Sequence, residues 1–193
     1  MAVTANDFSV GLMHELAIAL AKIGAEPKDI MSLIRDEEKL RSVLSKKADT
    51  NHLTTITVNL GLSLAEMITA GRYDWANGDI THDRFPIVGD GETRYETRLF
   101  HFGRFISSED AMRAIEVEGW EAAKIEHLLA FGAKYREEQR KYPIVGLGSS
   151  CTIGGSRYVP CLDRGDVKRD LNLDRWDVDW SFHFRFLAVR KAL

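Results

Sequence analysis

The C-terminal part of the chain carries the residue types and spacings that most strongly indicate a functional site. Short polar side chains alternate there with aromatic rings and arginine. Recognition surfaces have this composition, because rigid rings provide contact area and Asp, Ser and Arg provide hydrogen bonds. A catalytic site more often shows a histidine or carboxylate in an apolar setting, so no catalytic residue is assigned. The expected ligand-binding residues are Asn172, Asp174, Arg175, Asp177, Asp179, Ser181, Phe182, His183 and Phe184.

Two tryptophans, Trp176 and Trp180, lie four residues apart inside this stretch. Large rings at this spacing are expected to pack the last strand onto the core. We therefore interpret both tryptophans as structural parts of the site, with the residues between them as contact residues.

Other chemistries are less well supported by the sequence. The six histidines are scattered, without an HExxH motif or a cysteine at metal-ligand spacing. Asp177 and Asp179 could hold a hard cation, but two alternate acids in a polar turn are usually solvated. His127 lies beside apolar helix positions, which favours a core or edge histidine over a ligand. We expect no metal and no cofactor.

Two segments with small residues offer alternative chemistries. Gly146 and Gly148 follow an apolar strand, but the third glycine and the helix of a dinucleotide site are missing, and Ser149 lacks the GxSxG context. Cys151 and Cys161 could form a redox pair, and an enzyme using them with a histidine is the main alternative function. Otherwise they are two small, semi-buried residues in neighbouring strands.

The elements that must position these residues differ between the two halves. Helical periodicity predicts three helices within residues 8–46, followed by a strand at 52–60. Ser63 and Glu66 form a capping box that begins a helix ending near Gly71. Residues 1–88 are therefore interpreted as a helical N-terminal region with a short strand.

Residues 89–193 are predicted to form a second, mixed domain. The pattern indicates a strand at 94–102 and helices at 107–118 and 121–131. Short strands follow, and the last of them, 182–190, places Phe182, Phe184, Phe186 and Ala188 on one face. A strand, two helices and a β-rich end indicate the α+β class.

The composition and charge of the chain limit the kinds of partner that we expect. The chain has 193 residues, 45% hydrophobic and 28% charged, with a net charge of −3 that belongs wholly to residues 1–88. Nucleic acid is not the expected partner of such a chain. No apolar run could span a membrane, and no signal peptide is recognisable. We expect a cytoplasmic protein, with surface or virion display by another route left open.

Several segments together carry a resemblance. The stretches LFHFGRFISSEDA, KYPIVGLGS and RDLNLDRWDVDWSFHFRFLAVRK resemble a family of uncharacterised bacterial proteins common in candidate-phyla genomes. The likeness covers about residues 53–191, and its most specific part is the ending W-x3-W-x4-RFLAVRK. More loosely, the order of strand, two helices, apolar strand and Trp- and Asp-rich loop before a last strand resembles a C-type-lectin-like domain.

The same ending is similar to variable proteins of diversity-generating retroelements, in which adenine mutagenesis rewrites asparagine codons. Such codons can yield Asp, Ser, Phe, His and Arg, but never Trp. The resemblance implies that Trp176 and Trp180 are scaffold and that the expected contact residues between and around them are variable. It implies a protein or cell-surface ligand. A mobile-element-encoded inhibitor of a host protein is a further alternative, and the oligomeric state is left open.

Overall fold

A computed structural model describes residues 53–165 and 168–192. The three helices predicted within residues 8–46 lie outside these described residues. The described residues all belong to one compact unit. The boundary predicted after residue 88 falls inside this unit, because strands on both sides of that position belong to one sheet.

Three α-helices occur in the described part of the chain: α1 (Leu64–Gly71), α2 (Ser108–Val117) and α3 (Ile125–Lys134). The predicted capping box is confirmed, since Ser63 and Glu66 exchange hydrogen bonds at the start of α1. A 3-10 helix (Glu138–Arg140) follows α3.

The second predicted helix of the mixed region, 121–131, begins four residues late. Glu121–Ala122 instead form a two-residue strand that pairs with the last strand. At the true start, His127 Nδ1 accepts the main-chain N–H of Lys124 (3.1 Å). A strand pairing that joins distant residues therefore overrides the local helical pattern.

Acidification is expected to destabilise the protein through His127, which is 6% exposed. Burial, assisted by the nearby charge of Lys124, lowers the pKa of His127 from 6.5 to about 4. Between these values the unfolded chain binds the proton and the folded chain does not. This contribution to stability is therefore complete above pH 6.5 and falls towards pH 4, by on the order of 1 kcal/mol per pH unit.

Urea unfolding at pH 7 and pH 4.5 measures this effect. His127→Asn keeps an acceptor for the Lys124 N–H but cannot titrate, so its pH dependence is expected to be weaker than that of the wild type. The carboxylates titrate in both proteins and cancel in the comparison. Equal pH dependence in the two proteins would contradict the assignment.

Within the described residues, nine strands form one sheet. The strands are β1 (Thr54–Asn59), β2 (Trp75–Ala76), β3 (Glu92–Phe100), β4 (Glu121–Ala122), β5 (Ile144–Val145), β6 (Cys151–Ile153), β7 (Ser156–Arg164), β8 (Arg169–Arg175) and β9 (Arg185–Lys191). The main order of the sheet is β1-β3-β9-β5-β7-β8-β2, with β4 paired to β9 and β6 to β7. The sheet and the three helices confirm the α+β class.

Both faces of the sheet are covered, and β9 contributes to both cores. Leu187 and Val189 join α1 and α3 in one core, whereas Phe186 and Ala188 join α2 and the two tryptophans in the other. The alternation predicted for β9 is confirmed over these four residues.

The last strand starts three residues later than predicted. The main-chain carbonyl of Ser181 accepts a hydrogen bond from the main-chain N–H of Phe184 (3.2 Å). This bond closes a turn before β9 begins at Arg185. Phe182 is consequently 49% exposed instead of facing the core, while Phe184 packs against the tryptophan side of the sheet.

Candidate functional site

The loop that joins β8 to β9, residues 176–184, is held to α2 by its two tryptophans; we call it the Trp loop. Trp176 and Trp180 are 7% and 1% exposed. The indole N–H of Trp180 donates to Ser108 Oγ (2.8 Å), and that hydroxyl donates to the carbonyl of Trp176 (2.7 Å). One buried hydroxyl at the start of α2 therefore holds both ends of the segment between the tryptophans.

Further contacts hold each tryptophan separately. Trp176 donates its indole N–H to Glu109 Oε1 (2.6 Å), and the Arg157 guanidinium carbon lies 3.6 Å from a Trp176 ring centroid. Trp180 exchanges two main-chain hydrogen bonds with Ile106 (3.1 and 2.9 Å). Both tryptophans therefore have hydrogen-bond partners in the segment Ile106–Glu109.

Replacing Ser108 with alanine is expected to lower the free energy of unfolding by about 1–3 kcal/mol, because a buried indole N–H and a buried carbonyl lose their shared partner. Urea unfolding measures the difference. Ser181→Ala, in the partly exposed part of the Trp loop, is the matched control and should change stability by less than about 0.5 kcal/mol. Equal effects of the two substitutions would show that Ser108 does not hold the loop.

The side chains beside and between the tryptophans point away from the core. Arg175, Asp177, Val178 and Asp179 are all exposed. Arg175 donates to both carboxylate oxygens of Asp177 (3.0 and 2.6 Å), and this guanidinium lowers the pKa of the Asp177 carboxyl. Exposed pairs of this kind contribute little to folding. They remain available to a partner that offers a better counter-charge.

The second part of the Trp loop is a turn that displays two rings. Phe182 and His183 are exposed, with their ring centroids 4.0 Å apart. His101 Nε2 donates to the carbonyl of Phe182 (2.8 Å), and Arg185 Nη1 donates to the carbonyls of His183 and Phe184 (both 3.1 Å). The main chain of the turn is thus tied down while its rings face outwards.

Two predicted contact residues have partners within the sheet. Asn172 Oδ1 accepts from Asn77 Nδ2 (3.1 Å) and from the main-chain N–H of Leu173 (2.8 Å). Asp174 is hydrogen-bonded to the Cys161 thiol, and its burial raises the pKa of its carboxyl. Both are half-buried in β8, so the exposed part of the predicted site begins at Arg175.

Residues outside the predicted set also reach this face. Phe105 is 64% exposed and precedes Ile106, whose antiparallel bridge to Trp180 sets Phe105 beside Ser181. Sequence reasoning missed Phe105, as well as the supporting residue Ser108, because neither stands near the Trp loop in the chain. The segment RFISSED offered one signal, an aromatic residue two positions before the helix cap Ser107.

The two cysteines occupy neighbouring strands but opposite faces of the sheet. Both are unpaired and buried. Cys151 pairs across the strands with Tyr158 and packs in the core with α1 and α3, whereas Cys161 packs with the tryptophans. Burial raises the pKa of both thiols. A redox or nucleophilic pair needs adjacent, ionisable thiols, and this arrangement does not provide one.

Within residues 53–165 and 168–192, no group of three or more His, Cys, Asp or Glu side chains is placed to hold a metal ion. Asp177, one of the two carboxylates weighed for a cation, is engaged by Arg175.

No protein-family model, curated protein or solved structure matches this chain. In the described part of the chain, no helix combines the length and apolar character needed to cross a membrane.

Proposed function

We propose that this chain is a ligand-binding protein whose binding face is the Trp loop together with the adjoining Arg175. The observation that supports the proposal is the division of roles along the loop. Trp176 and Trp180 are buried and hydrogen-bonded to α2, whereas the intervening side chains, Asp177 among them, are exposed. Side chains displayed in this way can change without loss of the fold.

We further propose that the mixed unit is a C-type-lectin-like domain. Its support is the order of elements: β3, the helices α2 and α3, the apolar strand β5, then the Trp loop entering β9. The first and last of these strands, β3 and β9, pair with each other in antiparallel register. This pairing places β9 beside β3, the strand that precedes α2. The Trp loop, which leads into β9, therefore lies next to the start of α2, where Ser108 contacts both tryptophans.

The third part of the proposal is that the loop is diversified by a retroelement. All nine predicted contact residues are products that adenine mutagenesis of asparagine codons can give, whereas tryptophan is not. The two residues that the mechanism could not produce are the two that are buried. A variable surface on constant anchors is the arrangement that such a system requires.

A protein or cell-surface ligand fits the mixed character of this face. It offers a cation, two carboxylates and exposed rings: Arg175, Asp177, Asp179, Phe182 and His183. Rings supply contact area while the charged groups set orientation and exclude wrong partners. A mobile-element-encoded inhibitor would use the same face, and variation among gene copies distinguishes the two.

Sequencing the 3′ end of this gene across many cells of one population tests the proposal. We expect the codons of Arg175, Asp177, Asp179, Phe182 and His183 to differ between cells at their first two bases. We expect the codons of Trp176 and Trp180 to stay constant, and a near-identical template repeat to lie beside a reverse transcriptase gene. Invariant codons at the exposed positions, with no template repeat, would overturn the retroelement proposal and favour an inhibitor of one fixed target.

A further inference from the structure

A cavity of about 370 Å³ opens beside the turn of the Trp loop. It is lined by Lys141, Tyr142 and Arg164, which lie outside the Trp loop, and by Arg185 at the start of β9; we call these four residues the floor. It is also lined by Phe182 and His183 of the turn and by His101, which we call the wall. We call it the cationic pocket.

The charge of the cationic pocket is one-sided. Lys141, Arg164 and Arg185 are cations, and no carboxylate lines the cavity among the described residues. Glu138 stands next to it, where it accepts from Lys141 Nζ (2.6 Å) and from the Tyr142 hydroxyl (2.6 Å). After this neutralisation the three cations leave a surplus of about two positive charges, which a dianion would match.

Arg185 is held in place before any ligand arrives. Its Nη1 donates to three main-chain carbonyls of the turn, and its guanidinium carbon lies 4.5 Å from the centroid of the Tyr142 ring. Partial burial lowers the pKa of Arg185, which reflects a cation deprived of water. A fixed, partly desolvated guanidinium binds an anion with little ordering cost.

Aromatic rings accompany the cations. Tyr142 lies on the floor, and the contacting rings of Phe182 and His183 lie on the wall. Rings beside cations favour an anion carried on a planar stem over a bare inorganic ion, because the stem can pack against the ring faces.

We propose that the cationic pocket binds a phosphomonoester on an aromatic stem, as presented by a phosphorylated tyrosine of the partner. This inference rests on the proposed function, since Phe182 and His183 belong to the variable face. Lys141, Arg164 and Arg185 form the constant part that engages the phosphate. The variable rings then select the group that carries it.

Calorimetric titration of the full chain with phenyl phosphate tests this inference, with methyl phosphate and inorganic phosphate as comparison ligands. We expect saturable binding of phenyl phosphate, weaker binding of methyl phosphate and the weakest binding of inorganic phosphate. Lys141→Met and Arg164→Met should each weaken phenyl phosphate binding about tenfold, since a hydrogen bond to a charged group is lost. Arg113→Met, an exposed arginine of α2, is the matched control and should bind as the wild type does.

Phe182→Ala tests the contribution of the wall to binding separately from that of the floor. It should reduce the preference for phenyl over methyl phosphate by about two- to tenfold while leaving methyl phosphate binding unchanged. Absence of saturable phenyl phosphate binding, or unchanged binding in both floor variants, would overturn the inference. Equal affinity for inorganic and phenyl phosphate would also overturn it, because the pocket would then bind the phosphate ion without recognising the aromatic stem. Codon variation in the population is independent of phosphate, so failure here is distinguishable from failure of the proposed function.

Discussion

Replacing Trp180 with alanine is expected to lower the free energy of unfolding by about 3–5 kcal/mol, the range for a buried aromatic truncated in a core. The ring is 1% exposed and contacts Phe184 and Phe186 edge-on, at centroid distances of 4.9 and 5.9 Å. Its loss leaves a cavity under the Trp loop and removes the donor to Ser108. Chemical unfolding followed by circular dichroism measures the change.

Trp75→Ala is the matched control for this substitution. Trp75 is 48% exposed on the edge strand β2, so its truncation removes much less buried surface. We expect it to cost less than half as much as Trp180→Ala. If the two substitutions were equally mild, Trp180 could not be the anchor of the Trp loop.

Replacing Arg169 with methionine is expected to destabilise the protein by on the order of 3–5 kcal/mol. Arg169 is 4% exposed and donates to the carbonyls of Gly71 (2.7 Å), Gly132 (2.8 Å) and Arg136 (3.1 Å), and to Gln139 Oε1 (3.0 Å).

These carbonyls lie at or near the C-terminal ends of α1 and α3, where partial negative charge collects. One guanidinium at the start of β8 therefore joins two helix ends to the strand that leads into the Trp loop. Methionine keeps an apolar stem but leaves the carbonyls without a donor in the interior.

Two further variants sharpen this test. Arg169→Lys keeps the charge but not the fork of donors, so it should recover only part of the lost stability. Arg113→Met, on the exposed surface of α2, should have little effect. Full recovery by lysine would show that the positive charge alone suffices. It would contradict the claim that the several N–H donors of the Arg169 guanidinium are needed to bind the separate carbonyls.

Local sequence signals predicted those parts of the fold that depend on local contacts. The Ser63–Glu66 capping box predicted the start of α1, and the alternation from Phe186 to Val189 predicted which side chains lie on each face of β9. Both patterns depend on residues within a few positions of each other. The same holds for Trp176 and Trp180, whose size and spacing indicated anchors.

The parts that escaped prediction depend on contacts between distant residues. The pairing of Glu121–Ala122 with β9 delayed the start of a helix that its own pattern placed four residues earlier. Ser108 and Arg169 act through partners 30 to 98 positions away in the chain. No local pattern distinguishes such a serine or arginine from an ordinary surface residue, so the supports of the candidate site became visible only in the fold.

Simultaneous exchange of the exposed residues of the binding face tests the central claim most directly. The variant carries Arg175→Ser, Asp177→Asn, Asp179→Asn, Phe182→Ser and His183→Asn, with both tryptophans retained. We expect cooperative thermal unfolding with a midpoint within about 5 °C of the wild type, since surface substitutions away from caps and cores change stability little. Loss of cooperative unfolding, or a drop as large as that of Trp180→Ala, would contradict the claim that these side chains are displayed by the fold rather than required for it.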